Sequence, residues 1–303
     1  MAWSTSLPTV GIAYLAVALV GLAGLAHTFF SPLPVPVLLI HDVAEKRLPW
    51  DFWTITPAKL EEVVGVVSRL GFSTLRSDQV TAHLAGQLPA REARHGLVFT
   101  VDDGPASSGS LVGPLLARRG LTGVFFVVSG RGPPRSLSGD QVRALVAAGH
   151  EIGSHSVNHV SLTTTAWDRT TEDRFRQELA VSRQALATWS GRDVVAVAYP
   201  KGEFDATTKR LARETGYRLA FTTDPGYLEP GGDPLEIPRF QLNWDTPASA
   251  VEEFLVGPGK LRQVRLLSWT LLTLVSTIAL AMAWRSSRHG SPAARAPGAG
   301  PPA

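Results

Sequence analysis

The chain contains no cysteine among its 303 residues. This absence excludes disulfide bonds, thiolate catalysis and cysteine-ligated zinc. The chain also lacks any block rich in lysine and arginine, and its formal net charge is only +3. Nucleic-acid-binding surfaces need such basic clusters, so we expect no nucleic acid partner. The remaining composition, 44% hydrophobic and 18% charged residues, is typical of a globular protein.

No charged side chain occurs before Asp42. Residues 10–30 form an apolar run that, as a helix, would span roughly 31 Å, enough for the hydrocarbon core of a bilayer. We therefore expect a membrane anchor within residues 1–34. A cleaved signal peptide is an open alternative, because residues 24–26 resemble a cleavage site, although no lysine or arginine precedes the run.

A second uncharged run, residues 266–284, lies between Arg265 and Arg285. It predicts a C-terminal transmembrane helix over residues 264–285, followed by a Gly/Pro/Ala-rich tail, residues 286–303, that is expected to be disordered. Two spans would make a two-pass protein of the cell membrane. The basic residues that flank the second run are nearly balanced, so charge alone does not fix the orientation.

Residues 35–258 remain for one folded domain, in which strand-like and helix-like segments alternate. The predicted strands are residues 35–40, 97–101, 124–128, 194–199 and 218–222. The predicted helices are residues 57–70, 111–119, 138–148, 172–189 and 206–214. This alternation indicates a parallel sheet or an α/β barrel. In such a barrel, the chemistry takes place at the C-terminal ends of the strands.

Titratable residues follow several of these strands. His41, Asp102 and Asp103 come directly after two of them, and His155 and His159 follow a short segment at residues 151–152. Two histidines four residues apart share a face if they lie on a helical turn, and could then bind one metal. Either pair alone has an ordinary explanation, surface histidines or an Asp-Gly turn. Together, they supply three metal ligands and one carboxylate that can act as a base.

Three segments resemble, in order, the motifs of the NodB-type polysaccharide deacetylases: residues 99–104 (FTVDDG), 149–159 (GHEIGSHSVNH) and 199–202 (YPKG). The resemblance extends over residues 35–245. It implies a distorted (β/α) barrel, here flanked by two transmembrane helices, and one divalent metal, zinc or alternatively cobalt or nickel. It also implies that Asp103, His155 and His159 bind the metal, that Asp102 is the general base, and that the backbone N–H near Lys201 holds the oxyanion.

Two departures from the family pattern stand out. Ala198 occupies the place of the arginine that usually orients the base, and no histidine lies between His159 and His289, where the usual general acid would be. The permuted branch of poly-N-acetylglucosamine deacetylases shares both features and has its histidine on the first strand. Residues 38–42 (LLIHD) and 198–203 (AYPKGE) resemble that branch. The resemblance therefore implies that His41 is the general acid, oriented by a neighbouring carboxylate.

Three further residues are hypotheses. Arg239 could replace the missing arginine beside Asp102, or it could be an ordinary surface or salt-bridged arginine. Tyr199 and Trp244 could form apolar walls for a sugar ring or an acetyl methyl group, or they could simply pack in the core.

The expected activity is the metal-dependent hydrolytic N-deacetylation of an N-acetylglucosamine-type polysaccharide outside the cytoplasmic membrane, which releases acetate. It needs ionised Asp102 and protonated His41 together, so it predicts a bell-shaped pH profile. A machinery for polysaccharide synthesis or export is a candidate partner. The alternatives are an inactive carbohydrate-binding or assembly subunit on the same fold, and a deacetylase of a smaller glycan, a glycolipid or another small acetylated molecule.

Overall fold

The computed structural model describes residues 6–30, 33–134, 136–163 and 169–289. The chain divides into two compact units, Pro32–Gly259 and a unit that combines Met1–Ser31 with Lys260–Ala303. Within the unit that combines the two ends of the chain, Gly24 of the N-terminal helix lies against Trp269. A Cβ added to this glycine would come within 2.6 Å of the indole.

One helical stretch in the described part of the chain is long and apolar enough to cross a membrane, Ala248–Ala283. It contains most of the C-terminal span expected from the sequence. Near the N-terminus, Leu15–Ala26 is a shorter apolar stretch within a helix that covers Ser6–Phe30. Residues 1–5 of the expected anchor and residues 290–303 of the expected disordered tail lie outside the described residues.

The larger unit is built on a parallel sheet. Its strands are β1 (Val35–Ile40), β2 (Ser73–Thr74), β3 (Gly96–Val101), β4 (Val124–Val127), β5 (Glu151–Ser154), β6 (Ala196–Ala198), β7 (Leu219–Phe221), β8 (Tyr227–Leu228) and β9 (Phe240–Gln241). Their order is β7-β6-β5-β4-β3-β1-β8, with β2 beside β3 and β9 beside β1. All the pairings are parallel except that of β1 with β8.

The sheet curls towards closure through the segment that leads into β9. Ile237 bridges Phe221 at the end of β7, and Phe240 of the same segment pairs with Leu38 of β1. The two outer parallel strands, β7 and β1, are therefore both connected to residues 237–241. This confirms the distorted barrel that the sequence predicts.

Capping residues mark the start of several helices. The helices are α1 (Ser6–Phe30), α2 (Pro57–Arg69), α3 (Ser77–Leu84), α4 (Ala90–Arg94), α5 (Gly113–Arg118), α6 (Gly139–Ala147), α7 (Arg169–Ser190), α8 (Ala206–Glu214) and α9 (Ala248–His289). Thr56 accepts a hydrogen bond from the Lys59 N–H at the start of α2, and Ser138 caps α6 in the same way. Gly149 follows α6 with a φ of 92°, a conformation that glycine adopts without steric cost.

The alternation of side chains along each strand decides which residues reach the barrel interior. On β3, Val98 and Thr100 share one face with Asp102, which follows the strand. Val98 belongs to an interior cluster that also contains Phe126 of β4. Gly153 of β5 leaves room for this ring, because a Cβ there would collide with Phe126. The same parity carries His41, Asp102 and His155 to the C-terminal mouth of the barrel.

Candidate active site

A cavity of about 560 Å³ opens at this mouth. Its lining residues are His41, Trp53, Asp102, Asp103, His155, His159, Lys201, Gly202, Thr223 and Gln241. The cavity thus brings together the five residues that the sequence resemblance singled out for metal binding and proton transfer. These residues come from loops after β1, β3 and β5, so proximity depends on the parallel order of the strands.

Asp102 is buried and held by a buried arginine from the far end of the domain. Arg239 donates to both carboxylate oxygens, with Nη1–Oδ1 at 2.7 Å and Nη2–Oδ2 at 2.8 Å. Its remaining donors reach the Thr222 carbonyl at 2.6 Å and Thr100 Oγ1 at 3.2 Å. Burial alone would raise the pKa of Asp102, but the charge of Arg239 and its hydrogen bonds to the carboxylate oppose this, and the pKa is lowered to about 2. Asp102 is therefore ionised at neutral pH.

Asp103, His155 and His159 form a possible three-ligand metal site, since one ligand atom from each lies within 4.8 Å of the others. The Asp103 Oδ1 atom is 3.4 Å from His159 Nε2 and 3.9 Å from His155 Nε2. Ligands at about 2.1 Å around tetrahedral zinc are about 3.4 Å apart, so only small movements are needed. Asp103 Oδ1 is buried and has no hydrogen-bond partner in the described part of the chain. An oxygen in this state suits a cation.

The orientation of His155 also suits a metal ligand. Its Nδ1 lies 2.8 Å from the carbonyl oxygen of Ala198. This contact makes Nδ1 the protonated nitrogen and leaves Nε2 as the free acceptor that faces the two aspartates. Ala198, which stands in the place of the family's usual arginine, thus contributes its backbone to the site.

The two histidines are not on a helical turn, as the spacing had suggested. They lie in a loop directly after β5, in which Ser156 and His159 have φ values of 62° and 57°. Their ring centroids are nevertheless 4.7 Å apart. The prediction of a shared helical face was wrong because His155 continues the direction of a strand, and the chain then bends back through residues with positive φ.

Glu178 of α7 holds this loop in place. Its buried carboxylate accepts from the Val157 and Asn158 backbone N–H groups at 2.9 and 2.8 Å, and from Asn158 Nδ2 at 2.6 Å. All three bonds fall on the residues between the two histidines. Sequence reasoning missed Glu178, because nothing in a helical glutamate indicates that its partner is a distant loop.

We expect Glu178→Gln to lower the metal affinity of the site by about 10- to 100-fold, as is typical when an outer partner of a metal site is lost. The NH2 group of a glutamine would face an N–H donor of the loop, and these two donors would remain unpaired. This costs about 1–3 kcal/mol of stability. Zinc affinity can be measured by chelator competition, beside the thermal unfolding midpoint. Asp173→Asn, at an exposed carboxylate on the same helix, is the matched control. Unchanged zinc affinity in Glu178→Gln would contradict this role.

His41 lines the same cavity as the two aspartates and the two metal-site histidines. Its Nδ1 has no hydrogen-bond partner among the described residues. Burial lowers its pKa below the usual 6.5, although Asp102 and Asp103 oppose this shift. The adjacent Asp42 is not the carboxylate expected to orient His41, because it accepts from Val43 N (2.7 Å) and from Ser107 Oγ (2.5 Å).

Backbone strain is concentrated at the cavity. The non-glycine residues of the described chain with positive φ are Asp103, Ser156, His159 and Lys201. Each of them lines the cavity or lies in the loop that carries the histidines. Such conformations cost energy and persist where the surrounding structure enforces them, commonly at functional sites. Lys201 has a φ of 62°, and the next residue, Gly202, admits no side chain because a Cβ would collide with Thr223.

Two aromatic residues from the sequence hypotheses do not line the cavity. Tyr199 is fully buried: its hydroxyl donates to the Leu235 carbonyl at 3.1 Å and its N–H donates to the Phe221 carbonyl at 3.0 Å. It is a core residue, contrary to its proposed contact with substrate. Trp244 is exposed, and the Arg47 guanidinium carbon lies 4.4 Å from the centroid of its ring.

Other lining residues escaped the sequence analysis. Thr223 and Gln241 each lie two positions beyond an inward-facing residue, Phe221 and Arg239, so strand parity could have indicated them. Trp53 comes from the loop between β1 and α2, where no periodicity exists to reveal it.

A family model described as Polysaccharide deacetylase matches residues 91–220. This range contains Asp102, Asp103, His155 and His159. Among curated proteins, the chain is similar to YxkH of Bacillus subtilis, a candidate polysaccharide deacetylase by its name. The two are 21% identical over 65% of this chain and 67% of YxkH.

Solved structures share the fold. The deacetylase PplD of Streptococcus pyogenes, determined with acetate, matches with a TM-score of 0.66 and 20% identity over 74% of this chain and 99% of PplD. IcaB of Ammonifex degensii matches with a TM-score of 0.61 and 24% identity over 74% of this chain and 98% of IcaB. Both alignments leave about a quarter of this chain unmatched.

Proposed function

We propose that this chain, in which residues 91–220 match the Polysaccharide deacetylase family model, hydrolyses N-acetyl groups of an N-acetylglucosamine-type polysaccharide in a metal-dependent reaction. The observation that supports this most directly is that two carboxylates adjacent in sequence have different surroundings. Asp102 is fully paired with Arg239, whereas Asp103 Oδ1 lacks a hydrogen-bond partner among the described residues and faces two histidines. One carboxylate is thus prepared for proton transfer and the other for a cation.

Asp103, His155 and His159 would hold the divalent metal, for which zinc is our first choice and cobalt or nickel the alternatives. When bound, such a metal polarises a carbonyl oxygen and acidifies water. The ionised Asp102 accepts the proton of the attacking water, and Arg239 keeps its two oxygens in place. The backbone N–H near Lys201 donates to the oxyanion that forms on the amide oxygen.

His41 completes the reaction by proton transfer to the leaving nitrogen. As the C–N bond breaks, the protonated imidazole donates to the amine, and the water oxygen remains on the acyl carbon as acetate. The other product is an amino sugar, which adds positive charge to the polymer when protonated. His41 follows β1 and Asp102 follows β3, and both line the cavity, so the site has separate groups for the two proton transfers.

The apolar helical stretch Ala248–Ala283 supports a membrane attachment. We propose that the chain spans the cell membrane twice, with residues 35–258 as the deacetylase domain outside the cytoplasm. Polysaccharide synthesis or export machinery is the partner that such a location would favour.

Acetate release tests the proposed function. The purified full-length protein, in detergent, is incubated with N-acetylglucosamine oligomers and with zinc, cobalt or nickel. We expect acetate to appear with at least one metal. Metal binding without acetate release would instead favour the inactive carbohydrate-binding or assembly subunit.

His41→Gln should lower kcat about 10²- to 10⁴-fold, the usual contribution of a general acid. Only the protonated imidazole can donate, so the wild-type rate should fall as pH rises through the His41 pKa, which burial places below 6.5. The variant should lack this alkaline limb. The measurement is kcat as a function of pH, with His95→Gln, at an exposed histidine, as the control. An alkaline limb that survives in His41→Gln would assign the acid to another group.

A further inference from the structure

The loop between β1 and α2 exposes four large apolar side chains. Leu48, Trp50, Phe52 and Trp53 are 56%, 70%, 55% and 51% exposed. Exposed apolar groups of this size next to a cavity commonly mark a binding surface. One of them differs from the others, because Trp53 also lines the active-site cavity.

The backbone of Trp53 is fixed before any ligand arrives. The Asp51 carboxylate accepts from the Trp53 and Thr54 N–H groups, each at 3.0 Å, and from Thr54 Oγ1 at 2.5 Å. On the other side, the Phe52 carbonyl accepts from Trp244 N at 3.3 Å. An exposed indole on a held loop loses little conformational freedom on binding, which favours affinity.

The chemistry around Trp53 matches a sugar ring. The other described residues that line the cavity are polar or charged, apart from Gly202. A pyranose presents C–H groups on its faces and hydroxyl groups around its rim, so it can place a face on an indole and its rim against polar groups. The Trp53 and His41 ring centroids are 6.2 Å apart. The indole therefore lies beside the general acid, and about half of the Trp53 surface remains exposed to solvent.

We propose that Trp53 is the stacking platform for the sugar ring next to the one that loses its acetyl group. The reacting sugar fills the inner cavity between His41 and the aspartates, and its neighbour in the chain covers the exposed part of the indole. This inference rests on the proposed function and narrows it: the site takes an oligomeric or polymeric glycan in preference to a single N-acetyl sugar.

The test compares the kinetic constants for N-acetylglucosamine with those for its oligomers of two to five sugars. Trp53→Ala in the full-length protein should raise KM for the tetrasaccharide about five- to tenfold, a larger increase than it causes for the monosaccharide. Trp53→Phe should retain most of the wild-type preference for longer chains, because it keeps an aromatic face. Trp50→Ala, at a more exposed indole of the same loop that does not line the cavity, should behave as wild type.

Binding separates this inference from the proposed function. Calorimetric titration of the tetrasaccharide into Asp102→Asn, with and without Trp53→Ala, measures stacking even if no acetate is ever released. Weaker tetrasaccharide binding in the double variant supports the platform, whatever the catalytic outcome. Equal binding, or an equal effect of Trp53→Ala and Trp50→Ala on every chain length, would overturn it. Thermal unfolding of each variant identifies any loss that is due to misfolding.

Discussion

Removal of divalent metal from the full-length protein should reduce acetate release more than about 10³-fold, the largest effect that we expect. The reason is chemical: neutral water attacks an amide very slowly, and a bound metal can lower the pKa of water to about 7. Added zinc, cobalt or nickel should restore the rate. The measurement is acetate release before and after chelation and dialysis.

Two variants distinguish loss of metal binding from loss of proton transfer. Asp103→Asn keeps the shape of the side chain but removes the charge of the oxygen that faces both histidines, so it should lose metal affinity and activity together. Asp102→Asn should retain the metal and lose about 10²- to 10⁴-fold in kcat, because an amide cannot accept the proton. Full activity in a thoroughly chelated sample, with no metal detected by mass spectrometry, would rule out the metal-dependent mechanism.

The second largest expected effect is the loss of stability in Arg239→Met, because this substitution leaves the Asp102 carboxylate buried without its partner. Loss of one member of a buried ion pair typically destabilises a protein by about 3–5 kcal/mol. The Arg239 side chain is fully buried and makes two bonds to the carboxylate. Urea unfolding would measure the loss. The double variant Asp102→Asn/Arg239→Met should recover part of it, since no buried charge then remains.

The pH dependence distinguishes a positioning role of Arg239 from a purely structural one. The pKa of Asp102 is lowered to about 2 from its usual 3.8, so the stabilisation it provides is complete above about pH 4 and is lost as pH falls towards about 2. Without Arg239, burial dominates and the pKa of Asp102 rises. The acid limb of kcat/KM should therefore move to higher pH in Arg239→Met. In Arg239→Lys, which keeps the charge but not the paired geometry, the acid limb should lie between those of the wild type and Arg239→Met.

An acid limb that stays in place in Arg239→Met, with only the unfolding free energy changed, would limit the arginine to a structural role. The comparison with Lys also tests geometry: a lysine ammonium offers a point charge, whereas the guanidinium matches both carboxylate oxygens at once.

The sequence indicates most of the fold through local signals. The helix from Ala206 to Glu214 was predicted with its observed bounds, because capping residues and glycines act within one or two turns. The strand expected at residues 194–199 is shorter in the structure, Ala196–Ala198, since strand ends depend on which neighbour offers hydrogen bonds. Short strands such as β8 and β9 had no sequence signal at all.

What the sequence by itself determined is the list of candidate site residues and the side of the barrel on which they lie. Asp102, Asp103, His155 and His159 are close to the ends of apolar strands, and strand parity and parallel order then bring them to one mouth. The identity of the motif residues carried the family resemblance, which the match over residues 91–220 bears out.

Only the tertiary structure decided how these residues are held. Arg239 reaches Asp102 across 137 positions of the chain, Glu178 fixes the histidine loop from a helix, and Trp53 joins the cavity from a loop. Tyr199, by contrast, turned out to belong to the core. The physical reason is the same in each case: local patterns report whether a residue faces inwards, whereas its partner is set by the packing of segments that are far apart in sequence.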